Sequence, residues 1–181
     1  MRRRIFAYFI GLVIIPVWSC GHLGSTKDLQ VAENRILQQE DGIVSLKLDK
    51  AVCYSDLVNP SNNTADWNVV FSKPGRFKVW LSSATKDTSD LNYANSVRIS
   101  LMDDHLEVNP ACDKIVRNSN DVHYPYFRAD SYMGSIYISE PGEYNIQVIS
   151  EKVIAKNTET HNTSLADDTK LMSVILTPIT R

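Results

Sequence analysis

From residue 43 onward, apolar side chains recur at every second position, separated by polar ones, in seven short runs. Val44, Leu46 and Leu48 alternate with Ser45, Lys47 and Asp49, directly after an Asp41-Gly42 turn signal. The same period governs Trp67/Val69/Phe71, Phe77/Val79/Leu81 and Val97/Ile99/Leu101. It returns at Ile136/Ile138, at Tyr144/Ile146/Val148, and at Met172/Val174/Leu176, where Pro178 ends the run. Successive side chains of a strand point to opposite faces, so this period predicts half-buried antiparallel strands. Helical spacing is weak. Only Leu29 to Gln39 offers an apolar stripe (Leu29, Ala32, Ile36 and Leu37) that predicts a turn or two of helix. Strands at this density predict an all-β fold of two packed antiparallel sheets, a β-sandwich, with a closed barrel as the alternative.

Two passages share one turn motif. Ser72-Lys73-Pro74-Gly75-Arg76-Phe77 is matched by Ser139-Glu140-Pro141-Gly142-Glu143-Tyr144. In each a strand ends, Pro-Gly predicts a type II turn with positive φ at the glycine, and a strand reopens on an aromatic. The long connections are 51–66, 82–96, 108–133 and 153–170, and loops on a rigid frame are where a sandwich carries function.

The first twenty residues are organised differently. Arg2, Arg3 and Arg4 precede thirteen mostly apolar residues, Ile5 to Val17. As a helix they span about 20 Å, short of the roughly 30 Å hydrocarbon core, so they predict an export signal rather than a membrane span. Val17-Trp18-Ser19-Cys20-Gly21 resembles the lipobox of bacterial lipoproteins. That resemblance implies a signal peptide over 1–19 and a lipid-bearing Cys20. A tether would follow over 20–40, and the sandwich over 41–181. It implies an exported protein held to a membrane, the outer rather than the inner, through fatty acyl groups such as palmitate on Cys20. An ordinary signal peptide with an incidental cysteine is the alternative.

Ala65-Asp66-Trp67 through Phe77-Lys78-Val79-Trp80-Leu81 resembles the tryptophan-strand, glycine-turn, aromatic-strand passage of galactose-binding-like sandwiches, found in carbohydrate-binding modules. Pro141 to Val148 is similar to their penultimate strand, and Met172 to Pro178 to their closing strand. The resemblance spans roughly residues 43 to 178 and implies a jelly-roll sandwich with a glycan as its partner. Because this superfold also contains spacers that bind nothing, function has to be argued from the site.

Composition narrows the classes. The chain has 181 residues, 22% of them charged, and a formal net charge of −2. That balance lacks the basic footprint of a nucleic-acid partner. With Cys20 set aside, Cys53 and Cys112 form an even pair in an exported setting, which predicts either a disulfide or two buried thiols.

The densest chemistry is His123-Tyr124-Pro125-Tyr126-Phe127-Arg128-Ala129-Asp130-Ser131-Tyr132. Sugars present apolar C–H faces rimmed by hydroxyls, so their sites combine aromatic rings with planar charged groups. On a strand, Tyr124, Tyr126, Arg128, Asp130 and Tyr132 would share one face. The competing reading closes the core with these rings and pairs Arg128 with Asp130. Trp67 is predicted inside, and Trp80, of opposite parity to Val79 and Leu81, outside and available to a ligand. The loop from Asp56 to Asp66, with Asn59, Asn62 and Asn63, offers hard oxygen donors. Asp56, Asn63 and Asp66 are therefore candidate ligands for a structural calcium ion, although Asp and Asn also favour turns. Catalytic motifs are absent, and His22, His105, His123 and His161 are scattered. The sequence predicts a non-catalytic envelope lipoprotein that binds carbohydrate or, alternatively, contacts envelope proteins as an adhesin does.

Overall fold

A computed structural model describes residues 35–154 and 168–180. The signal segment, Cys20, His22, His161 and most of the tether lie outside the described residues. Among the described residues eleven strands run in chain order: β1 Arg35–Leu37, β2 Val44–Lys47, β3 Val52–Tyr54, β4 Thr64–Phe71, β5 Gly75–Thr85, β6 Val97–Leu101, β7 Asp104–Val108, β8 Lys114–Val116, β9 Phe127–Ile138, β10 Gly142–Ile149 and β11 Thr169–Pro178. They form a six-stranded sheet, β1-β4-β10-β6-β7 with β3 also on β4, and a five-stranded sheet, β2-β11-β5-β9-β8. This is an all-β, two-sheet, predominantly antiparallel sandwich, as the period-two pattern predicts.

The core lies between the sheets. Ala65, Trp67, Val69 and Phe71 of β4 face Phe77, Val79 and Leu81 of β5, all at 1% exposure or less. Phe71 stacks obliquely on Phe77 with ring centroids 5.3 Å apart and meets Tyr144 edge-on at 5.6 Å. Burying the Trp67 indole leaves one donor to satisfy, and its Nε1–H donates to the Lys47 carbonyl at 2.9 Å.

Several expectations are corrected. Residues 35–37 are a strand, not helix; they pair in parallel with β4, Ile36 opposite Val69, so the neighbouring strand supplies their hydrogen bonds. The two Pro-Gly turns do not close hairpins within a sheet. One carries the chain from β4 of the six-stranded sheet to β5 of the other, and its counterpart carries β9 back to β10. Gly142 has no positive φ, and Gly75 is nearly extended at +159°. The left-handed glycines are instead Gly42 (+84°), in the passage from β1 to β2, and Gly134 (+124°) in β9.

β5 is flanked by two irregularities. Val79 pairs with Gly134 but Trp80 pairs with Tyr132, which makes Met133 an extra residue in β9. On its other side Leu171 pairs with Ser83 but Ser173 with Ser82, so Met172 is extra in β11. A bulge reverses the inside-outside sense of everything beyond it. Leu171 is accordingly buried where the simple alternation places Met172.

Cys53 and Cys112 are not joined by a disulfide. The fold places them on different layers. Cys53, in β3 at the edge of the six-stranded sheet, packs against the core. Cys112 lies just before β8 of the five-stranded sheet. Partial burial, with the nearby Asp87, Asp90 and Asp113 carboxylates, pushes its thiol pKa up.

Candidate binding face

The cross-strand register of the five-stranded sheet assembles a chemically dense outer face from five separate stretches of chain. One row across the sheet reads Ser45, Ile175, Trp80, Tyr132. The next reads Lys47, Ser173, Ser82, Asp130, Lys114. A third reads Lys170, Ala84, Arg128, Val116. The aromatic row supplies an apolar platform. Trp80 and Tyr132 lie with ring centroids 5.2 Å apart and planes inclined by 56°, and Tyr132 is 42% exposed. Such tilted pairs are a favoured arrangement of two quadrupoles.

Beside the platform lies an ion-pair network. Asp130 is 5% exposed although it sits on the outer face. Its carboxylate accepts from Ser82 Oγ at 2.9 Å, from Arg128 Nε at 2.8 Å and from Arg128 Nη2 at 3.2 Å. Arg128 Nη1 donates at 3.0 Å to Oδ2 of Asp121, whose Oδ1 lies 3.8 Å from Lys47 Nζ. Burial works against the Arg128 charge, but its bonds to Asp130 and Asp121 outweigh that cost and hold its pKa above the ordinary value. A groove of about 320 Å³ opens over this network, lined among others by Ser45, Lys47, Asp121, Arg128, Ser173 and Ile175. Its lining combines two serines with charged groups and the apolar Leu48, Leu171, Met172 and Ile175.

A second depression, of about 440 Å³, continues along the loop before β9 and is lined by His123, Tyr124, Tyr126 and Lys170 among others. Tyr124, 94% exposed, projects into solvent. Tyr126 is not an open platform. The ammonium groups of Lys86 and Lys170 stand 5.3 and 5.6 Å from its ring centroid, so its π-face attracts cations of the chain itself. The structure thus brings Trp80, Arg128, Asp130 and Tyr132 to one face. Tyr124 and Tyr126 precede β9, so strand parity does not extend to them. The pairing of Arg128 with Asp130 is as the competing reading has it; the rings, however, do not close the core.

The 56–66 loop uses its oxygens internally. Asp56 accepts from the Val58 and Asn59 amides at 2.9 and 3.0 Å and from Asn62 Nδ2 at 3.2 Å, bonds that hold its pKa below the usual carboxylate value. Asn63 Oδ1 accepts from the Asp56 amide and its Nδ2 donates to the Val153 carbonyl, both at 2.8 Å. Asp66, on the outer face of β4, bonds to Asn145 of β10, and burial raises its pKa. Asp56 and Asn63 come together in a self-bonded turn and Asp66 has a different partner. Among the described residues no group of three or more His, Cys, Asp or Glu side chains could hold a metal.

Sequence reasoning misses Asp121, Ser82, Lys47, Ser173 and Ile175. None lies in the aromatic stretch; only the register of β2, β5 and β11 carries four of them to it, and an exposed turn brings Asp121.

No protein-family model matches the sequence, and no curated protein matches it either. A solved structure shares its fold. An α-L-fucosidase from Vibrio sp. strain EJY3 superposes with a TM-score of 0.62 at 21% identity, over 80% of this chain and 24% of that one. A GH26-CBM35 β-(1,4)-mannanase from Podospora anserina gives a TM-score of 0.46 at 12% identity, over 78% of this chain and 29% of that one. At such identities the first likeness shows the fold alone, and the second carries no further argument. The chain spans about a quarter of the fucosidase, so whatever that enzyme does as a whole belongs to it. Fold and face together define a β-sandwich with an aromatic and charged outer surface on its five-stranded sheet.

Proposed function

We propose that this chain is an exported lipoprotein, anchored through Cys20, whose sandwich binds glycan on the outer face of the five-stranded sheet and performs no chemistry of its own. The observation that carries this reading is the register that sets the Trp80–Tyr132 pair beside a groove of hydroxyls and charged groups. A pyranose laid on those rings buries its C–H face, and its hydroxyls meet Ser45, Ser173 and the rim charges. Sharing a fold with part of a fucosidase supports a glycan setting but names no ligand. The lack of any catalytic motif in the sequence supports the non-catalytic part.

The test is a glycan array spanning neutral and acidic polysaccharides, followed by titration calorimetry on the full-length chain. Trp80→Ala is expected to weaken binding about tenfold, the equivalent of ~1.4 kcal/mol of lost stacking, while the thermal midpoint moves little. A wild-type chain that binds no glycan, or a Trp80→Ala chain with unchanged affinity, contradicts the proposal.

A second reading, docking to another envelope protein, is favoured by one observation. Leu57 and Val58 stand 86% and 94% exposed on the loop after β3.

A further inference from the structure

We propose that the groove selects acidic sugars, and that Asp121 occupies the place which the sugar's carboxylate takes on binding. This rests on the glycan-binding reading and deepens it. Arg128 presents two donor edges. The Nε/Nη2 edge is spent on Asp130, which Ser82 also bonds and which is 5% exposed, so that fork is fixed. The Nη1 edge faces the groove, where it meets a single oxygen of Asp121 at 3.0 Å. The other oxygen of Asp121 reaches toward Lys47 at 3.8 Å. Two cations from different strands, β2 and β9, thus converge on one carboxylate that neither strand supplies.

That carboxylate is firmly held on one side only. Its pair with Lys47, at 3.8 Å with side chains 39% and 60% exposed, contributes little, which leaves the single 3.0 Å bond from the less exposed Arg128 as its main hold. Its one further hydrogen bond among the described residues is local, accepted from Ser119 Oγ at 3.2 Å. A guanidinium edge binds a planar carboxylate best through two parallel bonds, and Asp121 makes one. A uronate carboxylate entering the groove takes the same two cations, while its ring lies toward Ile175 and Trp80. Charge accounts for the selectivity. A uronate carboxylate gives the Nη1 edge of Arg128 and the Lys47 ammonium a charged partner when Asp121 moves aside, whereas a neutral sugar offers those donors only hydroxyls.

The experiment is calorimetric titration of the full-length chain with trigalacturonate and, separately, with neutral xylotriose and mannotriose. Wild type, Asp121→Asn and Lys47→Ala are compared. Asp121→Asn removes the internal competitor and is expected to bind trigalacturonate about threefold to fivefold tighter, with neutral sugars unchanged. Lys47→Ala is expected to weaken trigalacturonate by a similar factor. The acidic affinity should also fall as salt is raised. Asp121→Asn binding the acid no better than wild type overturns the proposal. Neutral sugars binding while trigalacturonate does not overturns it too, but leaves the glycan reading standing. If none of the three proteins binds any of these sugars, the acidic-sugar proposal falls, and the glycan array decides the wider reading.

Discussion

Arg128 and Asp130 lie on a solvent-facing strand face yet behave as interior residues, with side-chain exposures of 20% and 7%. Removing charge from water is costly, and such a pair persists because both carboxylate oxygens find donors; here Ser82 Oγ adds one beyond the Arg128 fork. Breaking a buried pair costs more than the pair itself contributes, because the surviving charge stays behind. Asp130→Ala is therefore expected to destabilise the fold by about 2–3 kcal/mol in denaturant titration, less than a fully buried pair because Arg128 keeps Asp121. Glu107→Ala, which breaks an exposed pair with Arg98, should leave the midpoint near that of wild type. Equal losses from the two substitutions would contradict this account. Three of the five site residues sharing parity in the sequence, Arg128, Asp130 and Tyr132, were legible because they sit on one strand. Their partners were not, because Ser82 and Asp121 look like ordinary loop residues until the strands are paired.

Among the elements, strands β4, β6 and β10 and the first half of β5 follow the sequence pattern closely, since each alternates between core and solvent. The second half of β5 does not. From Leu81 to Thr85 every residue is buried, because Ser82 and Ala84 on the outer side lie beneath neighbouring side chains. With no alternation to read, that stretch looks like the start of a loop. β1, β3, β7 and β8 escape for another reason: they are three to five residues long and none contains a fully buried residue. The bulge in β9 leaves one sequence trace, Gly134. Its φ of +124° disfavours a side chain, and a Cβ there would meet Leu106 Cδ2 at 3.2 Å. Gly134→Ala is expected to cost about 1–3 kcal/mol and to broaden or shift the NMR signals of Trp80 and Tyr132, which flank the bulge. A neutral effect on stability would mean that the bulge does not need its glycine.

At the scale of the whole molecule, the two sheets divide the work. The outer side of the six-stranded sheet carries a polar ladder of Asp66, Asn68 and Asn145, whose side chains bond to one another. The five-stranded sheet carries the aromatic row, the paired charges and the groove. The chain crosses between sheets at its Pro-Gly corners, so β5 and β9 become neighbours although some fifty residues separate their centres. That adjacency joins Trp80 to Tyr132 and Ser82 to Asp130. The class of fold is thus legible from period two alone, whereas the composition of the face depends on which strands adjoin.

Hydroxyl-radical footprinting of the full-length chain, with and without a glycan selected from the array, tests the location of the binding face most directly. Protection is expected at Trp80 and Tyr132, with Tyr54 of β3, exposed on the other sheet, unchanged. Protection confined to Leu57 and Val58, or to the six-stranded sheet, with Trp80 and Tyr132 reacting as before, would contradict it.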